Sequence, residues 1–444
     1  MRKVSHIFYS IILFLNLSET YRVLSWILST GTSIISTVTL IINAIYIVIN
    51  FQSAKKLFST RIPMLWLFIT LLFPVIMITL SFVLGFMELS EMGYWISFTA
   101  LFGSLFVASA ILAFNVSKKW ILILIWGSVI STIIGFILNY TWFDLFRKIG
   151  DASNTEKAYV VYGSSLDRGV SFFVAPNRAA FTVICFLILL LTTDFLPKRL
   201  SYYLGCIIIS VSMIFITGSR TSLIILFILL IFFFVRIVFS ILNVRYRIKK
   251  NDAAALIPFT FIVGIILFLW LVNGVSLILI SHNNPLGYRL NIFNQLGSSV
   301  AGSGSLEDES LSNRISILGV YFNYIKQNPL FGFGPQFIRD KLASGAFKNV
   351  SQNQYVESTL EYGIFYPIIY VYALIKTYLF AKKNSDYRFD PLKVFIFFIF
   401  ILGFSINDLF WNRSLVITLG LTLGLMYKFY IKAPHYVNKS QNLY

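Results

Sequence analysis

The sequence predicts an all-α, polytopic integral membrane protein with about twelve transmembrane helices and one large outer loop carrying an amphipathic helix. Three observations predict it. Of 444 residues, 57% are hydrophobic and 12% charged, about half the charged share of an ordinary soluble domain. Apolar runs of roughly the 20 residues needed to cross about 30 Å of hydrocarbon recur along the chain. Lys and Arg gather in every second connection, as cytoplasmic loops require.

In order, the expected spans are 6 to 17, 23 to 49, 62 to 86, 94 to 115, 120 to 140, 178 to 195, 201 to 217, 221 to 242, 256 to 280, 357 to 380, 392 to 410 and 413 to 430. The first is short. Arg2 and Lys3 precede it as in a signal peptide, but no small-residue cleavage site follows in Asn16-Leu17-Ser18-Glu19, so it counts as an uncleaved span. Starting inside, the basic groups fall at Lys55, Lys56 and Arg61, at Lys118 and Lys119, at Lys198 and Arg199, from Arg245 to Lys250, from Lys382 to Lys393, and at Lys428, Lys432 and Lys439. Both termini are then cytoplasmic and two long segments lie outside, 141 to 177 and 281 to 356. The chain divides into nine spans over 1–280, a large outer loop over 281–356, and three spans with a cytoplasmic tail over 357–444.

This composition excludes a soluble enzyme. The net charge of +18 reads as membrane orientation rather than nucleic-acid binding. Cys185 and Cys206 lie in apolar stretches, and His6, His282 and His435 are scattered without an H-E-x-x-H, so neither a disulfide framework nor a metal centre is expected. No cofactor is expected.

The large loop is Gly/Ser-rich from Gly297 to Ser305 and acidic at Glu307, Asp308 and Glu309. Ser312 or Asn313 then caps a helix whose Ile315, Leu318, Phe322 and Ile325 form one apolar stripe. Asn328-Pro329 ends it, and Leu330-Phe331-Gly332-Phe333-Gly334-Pro335 reads as a tight turn against the membrane surface.

Arginines start several helices: Arg178 after Asn177, Arg220 in Thr217-Gly218-Ser219-Arg220-Thr221-Ser222, Arg413 after Asn412, and Arg314 in the outer loop. Cations at helix N-termini are unfavourable without an anion nearby, and together they suit a phosphate or diphosphate. The ordinary alternative is contact with lipid phosphates or water, and Asp408 offers Arg413 a counter-ion. Glu357 and Glu361, four apart on the first turns of the tenth span, are candidates for general base; acidic residues also favour helix starts through the dipole alone. His282 opens the loop, where solvation accounts for it. Tyr288, Tyr321, Tyr324, Tyr355 and Tyr362 lie in or beside the loop, where the geometry permits sugar stacking, although the interfacial belt is the better default for aromatic residues.

Four motifs resemble the bacterial O-antigen polymerase and ligase superfamily of membrane glycosyltransferases. Gly169 to Ala180 is similar to the family's Pro-Asn start of a mid-chain span, and Ser219-Arg220-Thr221 to its Ser-Arg-Thr turn. Asn313-Arg314 through Asn328-Pro329-Leu330-Phe331-Gly332-Phe333-Gly334-Pro335 resembles the large-loop signature, and Gln352-Asn353-Gln354-Tyr355 through Glu361-Tyr362-Gly363 the element beginning the next span. Ligase members typically carry a histidine where this chain has Gln352, so the polymerase (Wzy-type) branch is favoured.

The resemblance implies a metal-independent glycosyltransferase joining oligosaccharide repeat units carried on undecaprenyl diphosphate, at the outer face of the bacterial inner membrane. Arg220 and Arg314 are assigned to the diphosphate, with Arg178 a third, and Glu361 to the base. Asn177, Arg178, Arg413, Asn353, Tyr355 and Tyr321 are expected to bind substrate. Membrane lipids and a chain-length regulator are the other expected partners, and nucleic acid is not one. A ligase, or a flippase of lipid-linked saccharides, remains the alternative; the flippase would more often show repeated halves and mid-span charges.

Overall fold

The computed structural model describes residues 2–30, 32–142, 171–173, 176–192, 200–217, 219, 222–223, 225–227, 230, 309–347, 351, 353–383, 390–403 and 412–432. Among them there is no strand. The N-terminal part runs through α1 (Arg2–Leu17), α2 (Tyr21–Ile27), α3 (Thr32–Ile49), α4 (Phe51–Phe58), α5 (Arg61–Leu67), α6 (Phe73–Val83), α7 (Leu89–Asn115) and α8 (Lys118–Thr141). The remainder contains α9 (Pro176–Thr192), α10 (Leu200–Thr217), α11 (Glu309–Ile325), α12 (Gln336–Ala343), α13 (Gln354–Tyr362), α14 (Phe365–Lys383), α15 (Asp390–Leu402) and α16 (Arg413–Lys432).

Among the described residues, four helices are long and apolar enough to cross a membrane: Thr32–Ile49, Arg61–Val83, Leu89–Asn115 and Lys118–Asn139. A fifth is reached if Val4–Leu17 and Tyr21–Ile27, bent by 94°, form one broken span. The expected span 256 to 280 lies outside the described residues, and 221 to 242 almost wholly so. Helix α3 has the inside-out pattern of a lipid-exposed helix. Ile34, Val38, Ile41, Ile45 and Val48 face outward, while Thr39 and Asn43 are buried, and Asn43 donates to Ser104 Oγ of α7 at 2.8 Å. Buried polar pairs of this kind hold helices together where lipid supplies no hydrophobic drive.

Three expected spans are reshaped. The run 23 to 49 is broken: α2 ends at Ile27, Ser29 takes a φ of 51°, and α3 restarts at Thr32, because Ser-Thr-Gly-Thr-Ser favours local backbone bonds over a helix. The run 62 to 86 is continuous through a π-helical turn at Phe68–Leu72, which accommodates Pro74 at the start of α6. The run 357 to 380 is two helices, parted at Gly363 with a φ of 78°. Glu357 and Glu361 therefore sit on a separate nine-residue helix, not on the first turns of a span.

Helix α7, buried along most of its length, is the central post. Against it packs α16, whose Gly420 and Gly424 permit close backbone approach: a Cβ on Gly420 would lie 2.0 Å from Ser109 Oγ, and one on Gly424 2.2 Å from the Ala110 carbonyl. Small residues four apart serve this purpose in membrane helices. At one end of the post, Ser53 donates to Asn115 Oδ1 at 2.8 Å and Lys428 Nζ bonds the Val116 carbonyl. Lys55, Lys56, Lys118 and Lys119 belong to that same end. The first turns of α3, α7 and α16 lie at the other.

Candidate functional site

At that other end, the described residues enclose a cavity of about 750 Å3. Four guanidinium groups line it, those of Arg22, Arg178, Arg339 and Arg413, with three carboxylates, Glu19, Glu357 and Glu361. Tyr21, Tyr94, Trp95 and Phe98 supply aromatic surface. Such a mixture of convergent charge and ring faces is the chemistry of a site for an anionic, hydroxyl-rich ligand.

Arg413 opens α16, and Asn412 caps that helix by accepting from Leu415 N at 3.2 Å. Arg413 is only 8% exposed. Nη1 donates to Asn16 Oδ1 at 2.6 Å and Nη2 to Ser36 Oγ at 2.7 Å, while the group lies 4.1 Å from the centroid of the Tyr21 ring. The neighbouring Ser414 donates to the Leu17 carbonyl at 2.8 Å. The start of α16 thus fixes the sharp α1–α2 bend. Asp408, the expected counter-ion, lies outside the described residues.

Within that bend Glu19 has a φ of 54° and accepts from Arg22 Nε at 3.1 Å, with both side chains almost fully buried. Arg178 is half-buried at the start of α9, where Pro176 sets the first turn; Asn177 beside it is exposed and does not line the cavity.

The other side of the cavity comes from the loop region. Helix α12 lies over the first turns of α7: Trp95 Nε1 donates to Gln336 Oε1 at 3.2 Å, and the Arg339 guanidinium sits 4.5 Å from the Trp95 ring centroid. Glu357 and Glu361 share one face of α13 and are 5% and 8% exposed. Ser351 Oγ donates to Glu357 Oε1 at 2.9 Å.

Two sequence motifs lock together to place these carboxylates. Phe333 N donates to the Leu360 carbonyl at 2.8 Å, Gly334 N to the Glu361 carbonyl at 2.9 Å, and Ile364 N to the Pro329 carbonyl at 2.9 Å. Gly332 and Gly363 both have positive φ. A Cβ on Gly363 would lie 1.9 Å from the Leu330 carbonyl, and one on Gly332 2.7 Å from the Glu361 backbone. The glycines serve left-handed backbone and close approach at once.

Other expected site residues stand apart from this cavity. Asn353 is the N-cap of α13, its Oδ1 accepting from Tyr355 N and Val356 N at 3.1 and 3.2 Å. Tyr355 donates to the Phe400 carbonyl at 2.7 Å and lines a separate apolar groove with Phe322, Pro367 and Ile368. Tyr321 is fully buried and stacks on Phe347 at 4.4 Å; burial, with the Glu357 carboxylate adding to it, pushes its phenol above the ordinary value. Helix α11 carries Arg314, whose side chain lies outside the described residues, as do Arg220, Gln352, His282 and Tyr288. Around Arg220, Ser219 and Ser222 are buried and bond each other at 2.9 Å. Among the described residues, no group of three His, Cys, Asp or Glu side chains stands together as a metal site.

Sequence reasoning missed Glu19, Arg22, Arg339 and the specific roles of Tyr94 and Trp95. The signal present in the sequence was the i, i+3 pair Glu19 and Arg22 ahead of an apolar run.

The fold and cavity define a polytopic helical membrane protein with a basic, aromatic and carboxylate-bearing chamber at one end. Residues 204–371 match the family model described as O-Antigen ligase. Comparison with curated proteins finds no match. The matched segment contains Arg339, Glu357, Glu361 and the glycine turn, and it points to membrane enzymes of the O-antigen ligase and polymerase type, which are glycosyltransferases. Glu19, Arg22, Arg178 and Arg413 lie outside it.

Proposed function

We propose that this protein is a twelve-span polymerase of undecaprenyl-diphosphate-linked oligosaccharide repeat units, acting at the outer face of the inner membrane with both termini cytoplasmic. The observation that carries the reading is the meeting of Arg178, Arg339 and Arg413 with Glu357 and Glu361 in one chamber. Chain extension needs both chemistries. The acceptor hydroxyl oxygen attacks the anomeric carbon of the donor, the bond from that carbon to the diphosphate oxygen breaks, and undecaprenyl diphosphate leaves. Glu361 takes the hydroxyl proton. The guanidinium groups of Arg178 and Arg339 hold the diphosphate and stabilise the charge that grows on it, Arg413 fixes the wall beside them, and Arg220 and Arg314 are assigned to the diphosphate through the family resemblance. The donor's own diphosphate supplies the driving force, so positioning and electrostatics are what the protein contributes.

Gln352, in place of the ligase histidine, favours the polymerase. The second reading, a ligase transferring finished chains to a final acceptor, is favoured by the description of the matching family. Deleting the gene in its native host and resolving surface polysaccharide on a gel separates them. The polymerase reading expects single repeat units on the terminal acceptor and no long chains. Long chains left on the carrier lipid would establish the ligase; single units held on the cytoplasmic face would indicate a flippase.

A further inference from the structure

Three guanidinium groups of the cavity are held in different ways, and the difference decides what each can offer a ligand. Arg22 is paired with Glu19 at 3.1 Å, both side chains almost fully buried. Arg413 donates through Nη1 to Asn16 and through Nη2 to Ser36. Arg339 is held by rings instead. Its guanidinium lies 4.5 Å from the ring centroid of Trp95 and 5.4 Å from that of Tyr94, and among the described residues no carboxylate forms an ion pair with it. Asp340, the next residue of α12, accepts from Gln336 Nε2 at 2.9 Å.

A ring contact leaves a guanidinium in a different state from an ion pair. Stacking occupies the planar face, while the N–H donors point outward in the plane and the positive charge is not neutralised. Such a platform fixes a cation in place and keeps its forked edge for phosphate oxygens. The platform is itself fixed. Trp95 is 4% exposed; Phe98 and Tyr94 lie against its ring in T-shaped contacts at 5.6 and 5.4 Å, and its indole N–H is bonded to Gln336, one turn before Arg339 on α12. One side chain of the central post thus sets both where α12 docks and where its arginine lies.

We propose that Trp95 is a positioning residue for diphosphate recognition: its ring face, extended by Tyr94, presents Arg339 to the lipid diphosphate with its charge unneutralised and its N–H edge available. The proposal rests on the glycosyltransferase reading above, in which Arg339 binds that diphosphate. Trp95 lies outside residues 204–371, so the support for this arginine comes from α7 and not from the segment that matches the family.

The test is a double-variant cycle on the full-length protein in detergent micelles, with binding of undecaprenyl diphosphate followed by calorimetry and undecaprenol as the reference without a head group. Arg339→Gln and Trp95→Leu should each weaken binding of the diphosphate at least about tenfold and leave undecaprenol unchanged, and the variant carrying both should match Arg339→Gln within about twofold. Trp95→Phe keeps a ring and loses the indole N–H. It should stay within about threefold of wild type, as should Gln336→Leu, which breaks the same hydrogen bond from the other side. Thermal denaturation verifies folding; if Trp95→Leu does not fold, Tyr94→Leu, at an exposed position, replaces it in the cycle, with a loss of about threefold that disappears in the Arg339→Gln background. Losses that multiply in the double variant overturn the proposal, because a merely structural tryptophan acts independently of Arg339. Trp95→Phe as weak as Trp95→Leu overturns it too, assigning the effect to the hydrogen bond. If Arg339→Gln weakens binding and the platform variants do not, the platform fails while the diphosphate reading stands. If wild type does not bind the diphosphate, or Arg339→Gln binds it as wild type does, the diphosphate reading fails and the proposal with it.

Discussion

The amide of Gly334 donates to the carbonyl of Glu361 at 2.9 Å. This bond joins two segments that are 27 residues apart and that the sequence presents as unrelated motifs. Through it and its neighbours, the turn after α11 sets the position of the residue proposed to take the acceptor's proton.

Gly363→Ala and Gly332→Ala should therefore remove activity without touching any reacting group. Each adds the cost of a left-handed backbone, about 1–2 kcal/mol, to a steric clash with backbone at 1.9 or 2.7 Å. Gly345 also has positive φ, at 75°, but open space around it. Gly345→Ala should retain long chains on a polysaccharide gel at equal membrane levels, whereas the other two should lose them. Full chain length in Gly363→Ala would refute the coupling between turn and carboxylate.

Arg413 is a positioning residue for the α1–α2 bend. Arg413→Ala should lower thermal stability in detergent, with about 1.5–3 kcal/mol lost for each charge-assisted bond. Arg413→Lys should rescue poorly, since one ammonium cannot span Asn16 and Ser36 while stacking on Tyr21. A melting temperature for the lysine variant equal to wild type would show that charge alone suffices.

How much of this was legible beforehand follows from where each signal lies. Arg178 and Arg413 stood out because helix starts repel cations, and both reach the cavity. The glycine turn and the α13 carboxylates were visible as local patterns, but the break at Gly363 was hidden inside a long apolar run. Glu19 and Arg22 were passed over because the 94° bend between α1 and α2 depends on Arg413 and Ser414, almost 400 residues away. Tyr94 and Trp95 carry no motif that sets them apart from the other aromatic residues; the Glu88 and Glu91 capping box starts α7 five residues before the expected span and places them in the chamber wall. Asn353 had the opposite fate. Expected to bind substrate, it stands apart from the cavity, its side chain spent on capping α13.

Glu357→Gln should be much milder than the loss of Glu361. The amide oxygen still accepts from Ser351 Oγ, which holds the native side chain at 2.9 Å, so local geometry survives. A rate reduction of less than about tenfold is expected in a chain-extension assay, below the range of about 100-fold to 10,000-fold typical of a lost general base. A larger loss than that of Glu361→Gln would exchange the two roles.

The α7–α16 contact should tolerate no added bulk. Gly424→Leu should destabilise the protein and reduce its membrane level, since even a Cβ would lie 2.2 Å from the Ala110 carbonyl; overpacking of a tight core costs about 1–3 kcal/mol or more. Limited proteolysis of membranes measures this, and wild-type resistance would contradict the close approach.

The most direct measurement is reconstitution: purified protein in liposomes, supplied with lipid-linked repeat units and no nucleotide sugar, with products resolved by length. Wild type should form a ladder of lipid-linked polymers, and Glu361→Gln, folded to the same melting temperature, should slow it at least about 100-fold. A ladder formed equally well by Glu361→Gln, or none formed by wild type, would contradict the assignment of glycosyl transfer to this cavity.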